Sequence, residues 1–544
     1  ARADFERIAG DSSSPWRETA RYLVARSLIR KASLGEDAKR TETLTEAETE
    51  LKRTLDEIKQ GPLHQSAARL LNLVKLRLRP EDRLRELSQS LMRREPNRDL
   101  KQELWDYTII LDRYLGSEEE PVDESVKKSL DTVITDDLSD WLRTFQSDEK
   151  GAYEHALDRW RKTDSQAWLV AALSKAGAGD ADRSALMEAA GRIVQSSPAY
   201  ATASFHTVRL LMEAGDRAGA RTRLDAILQG QSSLPPSAVN QFLHQRMLLS
   251  TTLEEFLRYA QRRPAAFTWG DDAREIPIEQ KELTADDELK QLVGRTLFDS
   301  DSVQIMNERL PLSLLQEAAN SRLLPDHLRK RVALAAWTRA VMLGNDETAR
   351  ALAPVLASLA PEMKALLAEY QSASGAANAR GVALYTMLKF PGTRPFVDGN
   401  VGRLTPLGQR DIFRDNWWCG DVAAAETSED EGTASTGRVQ LPASALQLDF
   451  LTAAQSDAGR KERAQLSSLG AGPNYLARET VEWGNRMPSN PRIPEALHLA
   501  VMATRYSCAD KETGPLSRAA WQLLHSRYKN TAWARKTPYW FKGY

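Results

Sequence analysis

Cys419 and Cys508 are the only cysteines in 544 residues, and each stands beside aromatic residues, Trp417 and Trp418 for the first and Tyr506 for the second. Two thiols exclude a disulfide framework and a Cys-rich zinc site. They leave two outcomes open: one disulfide closing a loop of about 89 residues in an oxidising compartment, or two buried free thiols. The seven histidines, His64, His155, His206, His244, His327, His498 and His525, include no pair at i and i+4 and no HExxH motif. They read as surface or half-buried helix histidines. Asp271-Asp272-Ala273-Arg274-Glu275 has the spacing of the carboxylates with which helical cyclases hold magnesium and diphosphate. No second cluster accompanies it, and it lies where the helical period lapses. Gly177 and Gly179 fall between two helices and read as turn residues, not as a phosphate loop. There is no GxSxG elbow or Walker sequence. The expectation is a chain without catalytic residues, metal or cofactor.

A second constellation is basic and aromatic. Phe396, Arg403, Arg410, Phe413, Arg414, Trp417 and Trp418 alternate along residues 391–420, a stretch with three prolines and five glycines that no helical period explains. Arginine and large aromatics are the residues enriched at the centres of protein interfaces. A long irregular segment in a helical protein is also where binding residues concentrate. The competing reading is that the rings plug the segment onto the helices while the arginines are solvated.

The elements that must position these residues are helical. In 199–229 Ala201, Phe205, Val208 and Met212 share one helix face, Gly215 breaks the run, and Ala220, Leu224 and Ile227 resume it. Similar amphipathic pairs fill 1–263, which reads as an N-terminal array of hairpins. Pro62, Pro80 and Pro236 stand at helix starts. Residues 264–300 read as an irregular linker and 301–390 as middle hairpins. Residues 391–440 read as an insertion that includes a mobile acidic loop at 427–437, and 441–544 as C-terminal hairpins. The fold class expected is all-α, an α-solenoid of stacked antiparallel hairpins. Such a chain grows in one dimension and escapes the size limit of a single core.

Composition narrows function by exclusion. Lys and Arg total 74 against 75 Asp and Glu, a net charge of −1, which offers nucleic acid no global attraction. No acidic or basic tail is expected. No run approaches the roughly 18 apolar residues of a membrane span. The chain begins at Ala1 without an apolar signal core, so the compartment must be argued from elsewhere.

Aligned on their turn glycines, three hairpins give Gly215 with Ala220, Gly344 with Ala349 and Gly514 with Ala519. With Pro198 closing one unit of about 34 residues, the pattern resembles a degenerate tetratricopeptide repeat. Ser204, Thr207-Val208 and Leu211 occupy the positions where that family keeps its Trp, Leu-Gly and Tyr. The C-terminal stretch RAAWQLLHSRYKNTAWARKTPYWF is similar to helix pairs in bacterial envelope repeat proteins. The resemblance implies a non-catalytic scaffold that binds a protein or peptide partner, in the periplasm or another exported location. A cytoplasmic location, a superhelical or α/α-toroid enzyme, and a structural homo-oligomer subunit are the alternatives.

Overall fold

A computed structural model describes residues 1–34, 39–93, 99–116, 133–147, 149, 151–268, 275–277, 294–412, 416–419 and 448–543. Among these residues the protein is almost entirely helical. The chain divides into two compact units, Ala1–Thr207 and Val208–Tyr544.

The first unit holds α1 (Arg2–Gly10), α2 (Arg17–Leu34), α3 (Arg40–Glu57), α4 (Pro62–Leu78), α5 (Pro80–Leu91) and α6 (Leu100–Leu115). It continues with α7 (Asp137–Gln146), α8 (Ala152–Thr163), α9 (Gln166–Lys175) and α10 (Arg183–Gly191). Neighbours in sequence pack on one another, α2 on α3, α3 on α4 and α5 on α6. Pro62 and Pro80 each sit in a first helical turn, where a missing N–H costs nothing. Leu28, Leu44, Leu51, Ala67 and Val74 form one core, and Leu84, Leu87, Tyr107 and Ile110 a second.

Helix α11 (Tyr200–Glu213) carries the division between the units. The second unit follows with α12 (Arg217–Gln229), α13 (Pro236–Leu248), α14 (Leu253–Tyr259) and four short strands, β1 (Gln261–Arg262), β2 (Ala266–Thr268), β3 (Glu275–Pro277) and β4 (Leu297–Phe298). Then come α15 (Ser300–Glu308), α16 (Leu312–Asn320), α17 (Asp326–Met342), α18 (Asp346–Leu359), α19 (Lys364–Ser372) and α20 (Ala376–Lys389). After the irregular segment the chain resumes with α21 (Ala453–Ser468), α22 (Gly472–Arg486), α23 (Ile493–Arg505), α24 (Thr513–Arg527) and α25 (Ala532–Lys536).

The boundary expected at 264–300 is not where the chain divides. Gln261 pairs with Phe298 and Arg262 with Leu297 in an antiparallel ladder, so this stretch leaves and returns at one place within the second unit. The mobile loop expected at 427–437 and Asp271 to Arg274 of the acidic motif lie outside the described residues.

Helix α17 is the axis of the second unit. From Val332 to Met342 every residue is buried, whichever way it points, and α16, α18 and α20 pack against it. A helix apolar all round belongs inside a core. At two of the three aligned turns the glycine is left-handed: Gly215 and Gly344 take φ of +79° and +71°, and the alanines five residues on, Ala220 and Ala349, are fully buried. Gly514 does not follow them. It is the second residue of α24, and an added Cβ there would lie 2.9 Å from the Lys542 carbonyl oxygen, so it is small because the C-terminal tail lies across it.

That tail sets a pH dependence. His498 on α23 shares a 2.7 Å hydrogen bond with Thr537 Oγ1 and packs on the Trp533 ring. Burial, then the charges of Arg410, Lys536 and Arg505, push it down to about 4. A depressed histidine contributes stability that is present above about pH 6.5 and lost as pH falls through about 4. Allowing for solvent screening, the contribution is about 1–2 kcal/mol. Urea unfolding of the His498→Phe variant between pH 7 and 4 is expected to show a shallower loss than the parent protein.

Candidate functional site

The described part of residues 391–419 contains no helix, yet it is tightly held. Asn307 on α15 reads the backbone of Val397 on both sides: its Oδ1 accepts from Val397 N at 2.8 Å and its Nδ2 donates to Val397 O at 3.1 Å. Asn400 N donates to Phe298 O at 2.6 Å, and Gly392 N to Leu407 O at 3.1 Å. The Arg331 guanidinium caps a turn of carbonyls, donating to Asp398 at 3.2 Å, Asn400 at 2.8 Å and Val401. Gly402 lies flat against that guanidinium. With φ of +69° and the Arg331 Cζ 2.7 Å from where a Cβ would stand, no other residue fits without displacement. These side chains do for the irregular backbone what a ladder does for a strand.

The aromatic residues of the segment divide between anchoring and lining. Trp417 and Trp418 are buried, at 2% and 4% exposure. Trp417 Nε1 donates to Met387 O and Trp418 Nε1 to Gly470 O, both at 3.0 Å. Both rings thus plug the chain onto α20 and the start of α22, and as candidates for partner binding they are corrected to anchors. The adjacent Asn416 donates to Asp411 O and Tyr506 O and accepts from Asp411 N. Cys419 is bonded to Cys508, with Cα atoms 5.4 Å apart. Arg410 is exposed, its guanidinium 4.5 Å above the Tyr506 ring. Phe413 and Arg414 lie outside the described residues.

Phe396 and Arg403 meet at a cleft. Residues 392–407, the N-terminal half of α17 and the chain at Arg295 enclose a cavity of about 240 Å³. Five cations line it, Arg295, Lys330, Arg331, Arg394 and Arg403, against two carboxylates, Glu362 and Asp398. Lys330 pairs with Glu362 at 2.9 Å and Arg394 with Asp398 at 3.2 Å. Arg403 donates to the carbonyls of Thr405 and Gln409. Burial, then the Arg394 charge beside it, push Arg403 below the ordinary arginine range. Arg331 is pushed the same way by burial, which Asp398 only partly offsets. The lining thus holds five cations and two carboxylates, and Phe396 and Leu334 supply an apolar side. In chemical terms, such a lining suits a carboxylate or another anion next to an apolar group.

Sequence reasoning named two lining residues and missed Arg295, Lys330, Arg331 and Arg394. Two signals were present: Arg394 begins the basic and aromatic alternation two residues before Phe396, and Arg329, Lys330 and Arg331 form a basic run in the first turns of α17. What brings the two stretches together is the Arg331 cap on 398–401, a contact about 70 residues apart that no local pattern encodes.

No protein-family model matches the chain, and no curated protein or solved structure is significantly similar to it. The site must be read from its own residues.

The second unit also brings a histidine, a carboxylate and a hydroxyl together. His244 Nδ1 hydrogen-bonds Asp301 Oδ2, and Arg262 stands 2.8 Å from the same oxygen. Burial raises the Asp301 carboxyl, but the His244 hydrogen bond and the Arg262 charge outweigh it and hold the group well below the usual carboxylate range. Ser302 Oγ donates to Ala260 O at 2.8 Å and has no exposure. Since that hydroxyl donates away from the histidine and meets no solvent, the cluster ties α13 to α15 and offers no nucleophile. Among the described residues no group of three or more His, Cys, Asp or Glu could hold a metal ion, and no helix is long and apolar enough to cross a membrane.

Proposed function

We propose that this protein is a non-catalytic helical-repeat scaffold that receives an acidic segment of a protein partner in the cleft between α17 and residues 392–407. The observation that carries the reading is the lining of that cleft, five cations against two carboxylates with an apolar side at Phe396 and Leu334. An extended acidic peptide with one apolar side chain matches it in charge and shape. Stacked hairpins with the tetratricopeptide-like pairing of Gly215 with Ala220 and Gly344 with Ala349 give such a cleft a rigid wall. A bacterial envelope setting is supported by the Cys419–Cys508 bond, since disulfides persist where the environment is oxidising.

Fluorescence anisotropy with a labelled peptide rich in Glu and containing one Leu tests the reading. Binding is expected to weaken as salt rises, because the attraction is screened. The Arg295→Glu/Lys330→Glu variant changes two cations at the cleft mouth that take no part in holding the segment, and about a tenfold loss of affinity or more is expected. An affinity indifferent to both salt and the double reversal would defeat the proposal.

A further inference from the structure

The even charge balance of the whole chain conceals a local asymmetry, and the expectation of no basic tail does not hold. From Thr513 to Tyr544 the sequence contains Arg518, Arg527, Lys529, Arg535, Lys536 and Lys542 and no Asp or Glu. All six cations are exposed, and none forms an ion pair among the described residues. They are interleaved with Trp521, Trp533, Tyr539, Trp540 and Phe541.

The structure fixes this stretch as a strap. Thr537 is its pin: its carbonyl accepts from Trp521 Nε1 at 2.9 Å and bonds His525 Nε2 at 2.8 Å, and its hydroxyl bonds His498 at 2.7 Å. Further on, Phe541 N donates to Ser517 Oγ at 3.0 Å, and the Arg505 guanidinium donates to Tyr539 O. With the backbone tied down at Thr537, the side chains of residues 538–542 are held at or close to the surface. Pro538 and Tyr539 are exposed, Tyr539 at 59%, and Trp540 and Phe541 are half-buried. Cations cover the rings: Lys536 stands 4.7 Å from the Trp533 centroid, Arg518 5.7 Å from that of Trp540, and Arg505 3.9 Å from that of Tyr539. Arg410 adds a further positive charge near His498.

This arrangement discriminates among anionic ligands. A single-stranded nucleic acid or a sugar would need bare ring faces to stack on, and the rings of Trp533, Tyr539 and Trp540 each already carry a guanidinium or ammonium group. None of these residues lines the cleft described above. What the strap offers is an exposed row of cations around a short aromatic segment, the combination suited to a layer with charged headgroups outside and apolar matter beneath.

We propose that the strap around Lys536 to Lys542, with Arg518 and Arg535, docks this protein on a membrane surface rich in anionic phospholipid. The proposal is independent of the cleft. Co-sedimentation of the full chain with vesicles tests it, using phosphatidylcholine alone and an equal mixture of phosphatidylcholine and phosphatidylglycerol. The protein is expected to pellet with the mixed vesicles only, and to be released at about 0.5 M salt, where the Debye length falls to a few ångströms. Each surface cation contributes about fivefold to such partitioning, so the Arg535→Glu/Lys536→Glu/Lys542→Glu variant is expected to lose about 100-fold or more. A thermal melt confirms that this exposed triple variant is folded; should it not be, the single Lys542→Glu exchange and the salt release carry the test. Equal binding to neutral vesicles, or undiminished binding by a folded variant, overturns the proposal. So does displacement of the protein from the mixed vesicles by a short DNA duplex at equal phosphate concentration, which would assign the strap to nucleic acid instead.

Discussion

Reduction of the Cys419–Cys508 disulfide is expected to lower the stability of the protein by about 4 kcal/mol while leaving the affinity of the cleft for an acidic peptide essentially unchanged. The first half follows from chain entropy. The bond closes a loop of 89 residues, and releasing such a loop in the unfolded ensemble is worth about 4–5 kcal/mol on the loop-closure model. The second half follows from what else holds the segment. Trp417 N donates to Pro391 O at 2.6 Å, Gly472 N donates to Trp418 O at 2.8 Å, and Ser507 Oγ donates to Asn416 O at 2.8 Å. These bonds fix residues 416–418 whether or not the sulfurs are joined, and the cleft lining on this segment ends at Leu407, nine residues upstream of Asn416. Cys419 is exposed and Cys508 half-buried, so a small thiol reductant reaches the bond in the folded protein. Urea unfolding with and without reductant, repeated on the Cys419→Ser/Cys508→Ser variant, measures the first effect; peptide anisotropy under the same conditions measures the second. A large loss of peptide affinity on reduction would mean that the disulfide, and not the tryptophan anchors, sets the cleft.

The contrast between sulfur and tryptophan also shows what the amino-acid sequence discloses and what it withholds. Helices were legible because their causes are local: Pro62, Pro80 and Pro236 mark starts within a residue of where helices begin, and the steps Ala220, Leu224 and Ile227 are buried as their spacing demands. The irregular segment was legible as an exception to that rule. Its internal roles were not, because Phe396 and Trp417 carry the same interface-like character while one lines a cleft and the other is a core plug. That difference is made by Met387 and Pro391, whose carbonyls receive the Trp417 indole and backbone N–H groups. Gly514 is the clearest failure of pattern. Its spacing to Ala519 copies that of two true turns, yet its smallness serves the distant Lys542 carbonyl. The basic strap escaped notice for another reason: a net charge of −1 averages over the whole chain, and a surface field depends on where the charges lie.

Arg339 links the cleft to the axis of its unit, and the expected effects of replacing it depend sharply on what takes its place. The side chain is 2% exposed in the last turn of α17. Its Nε donates to Pro395 O at 3.2 Å, on the cleft segment, and one terminal nitrogen donates to Leu310 O at 3.2 Å. Burial pushes the guanidinium down to about 10, against the opposing charge of Glu462. That carboxylate accepts from Leu312 N at 2.7 Å and is raised by burial, with the Leu312 bond and the Arg339 charge pulling it back. Arg339→Ala leaves a cavity, two unsatisfied carbonyls and a half-buried Glu462 without the nearby positive charge, and a loss of about 3–5 kcal/mol is expected. Arg339→Met keeps most of the volume, and about 2 kcal/mol is expected from the lost hydrogen bonds and the unbalanced Glu462. In that variant the Glu462 carboxyl is raised further. A carboxyl raised on folding contributes stability that is present below its unfolded value and lost as pH rises through its folded value. The deficit of Arg339→Met relative to the parent protein is therefore expected to shrink between pH 7 and pH 4. Adding Glu462→Gln is expected to restore part of the lost stability at pH 7 and to abolish that pH dependence, a coupling that urea unfolding of the four members of the cycle measures directly. If the Met variant shows the same deficit at both pH values, Glu462 does not feel the Arg339 charge, and the buried arginine serves only to hold the Leu310 and Pro395 carbonyls.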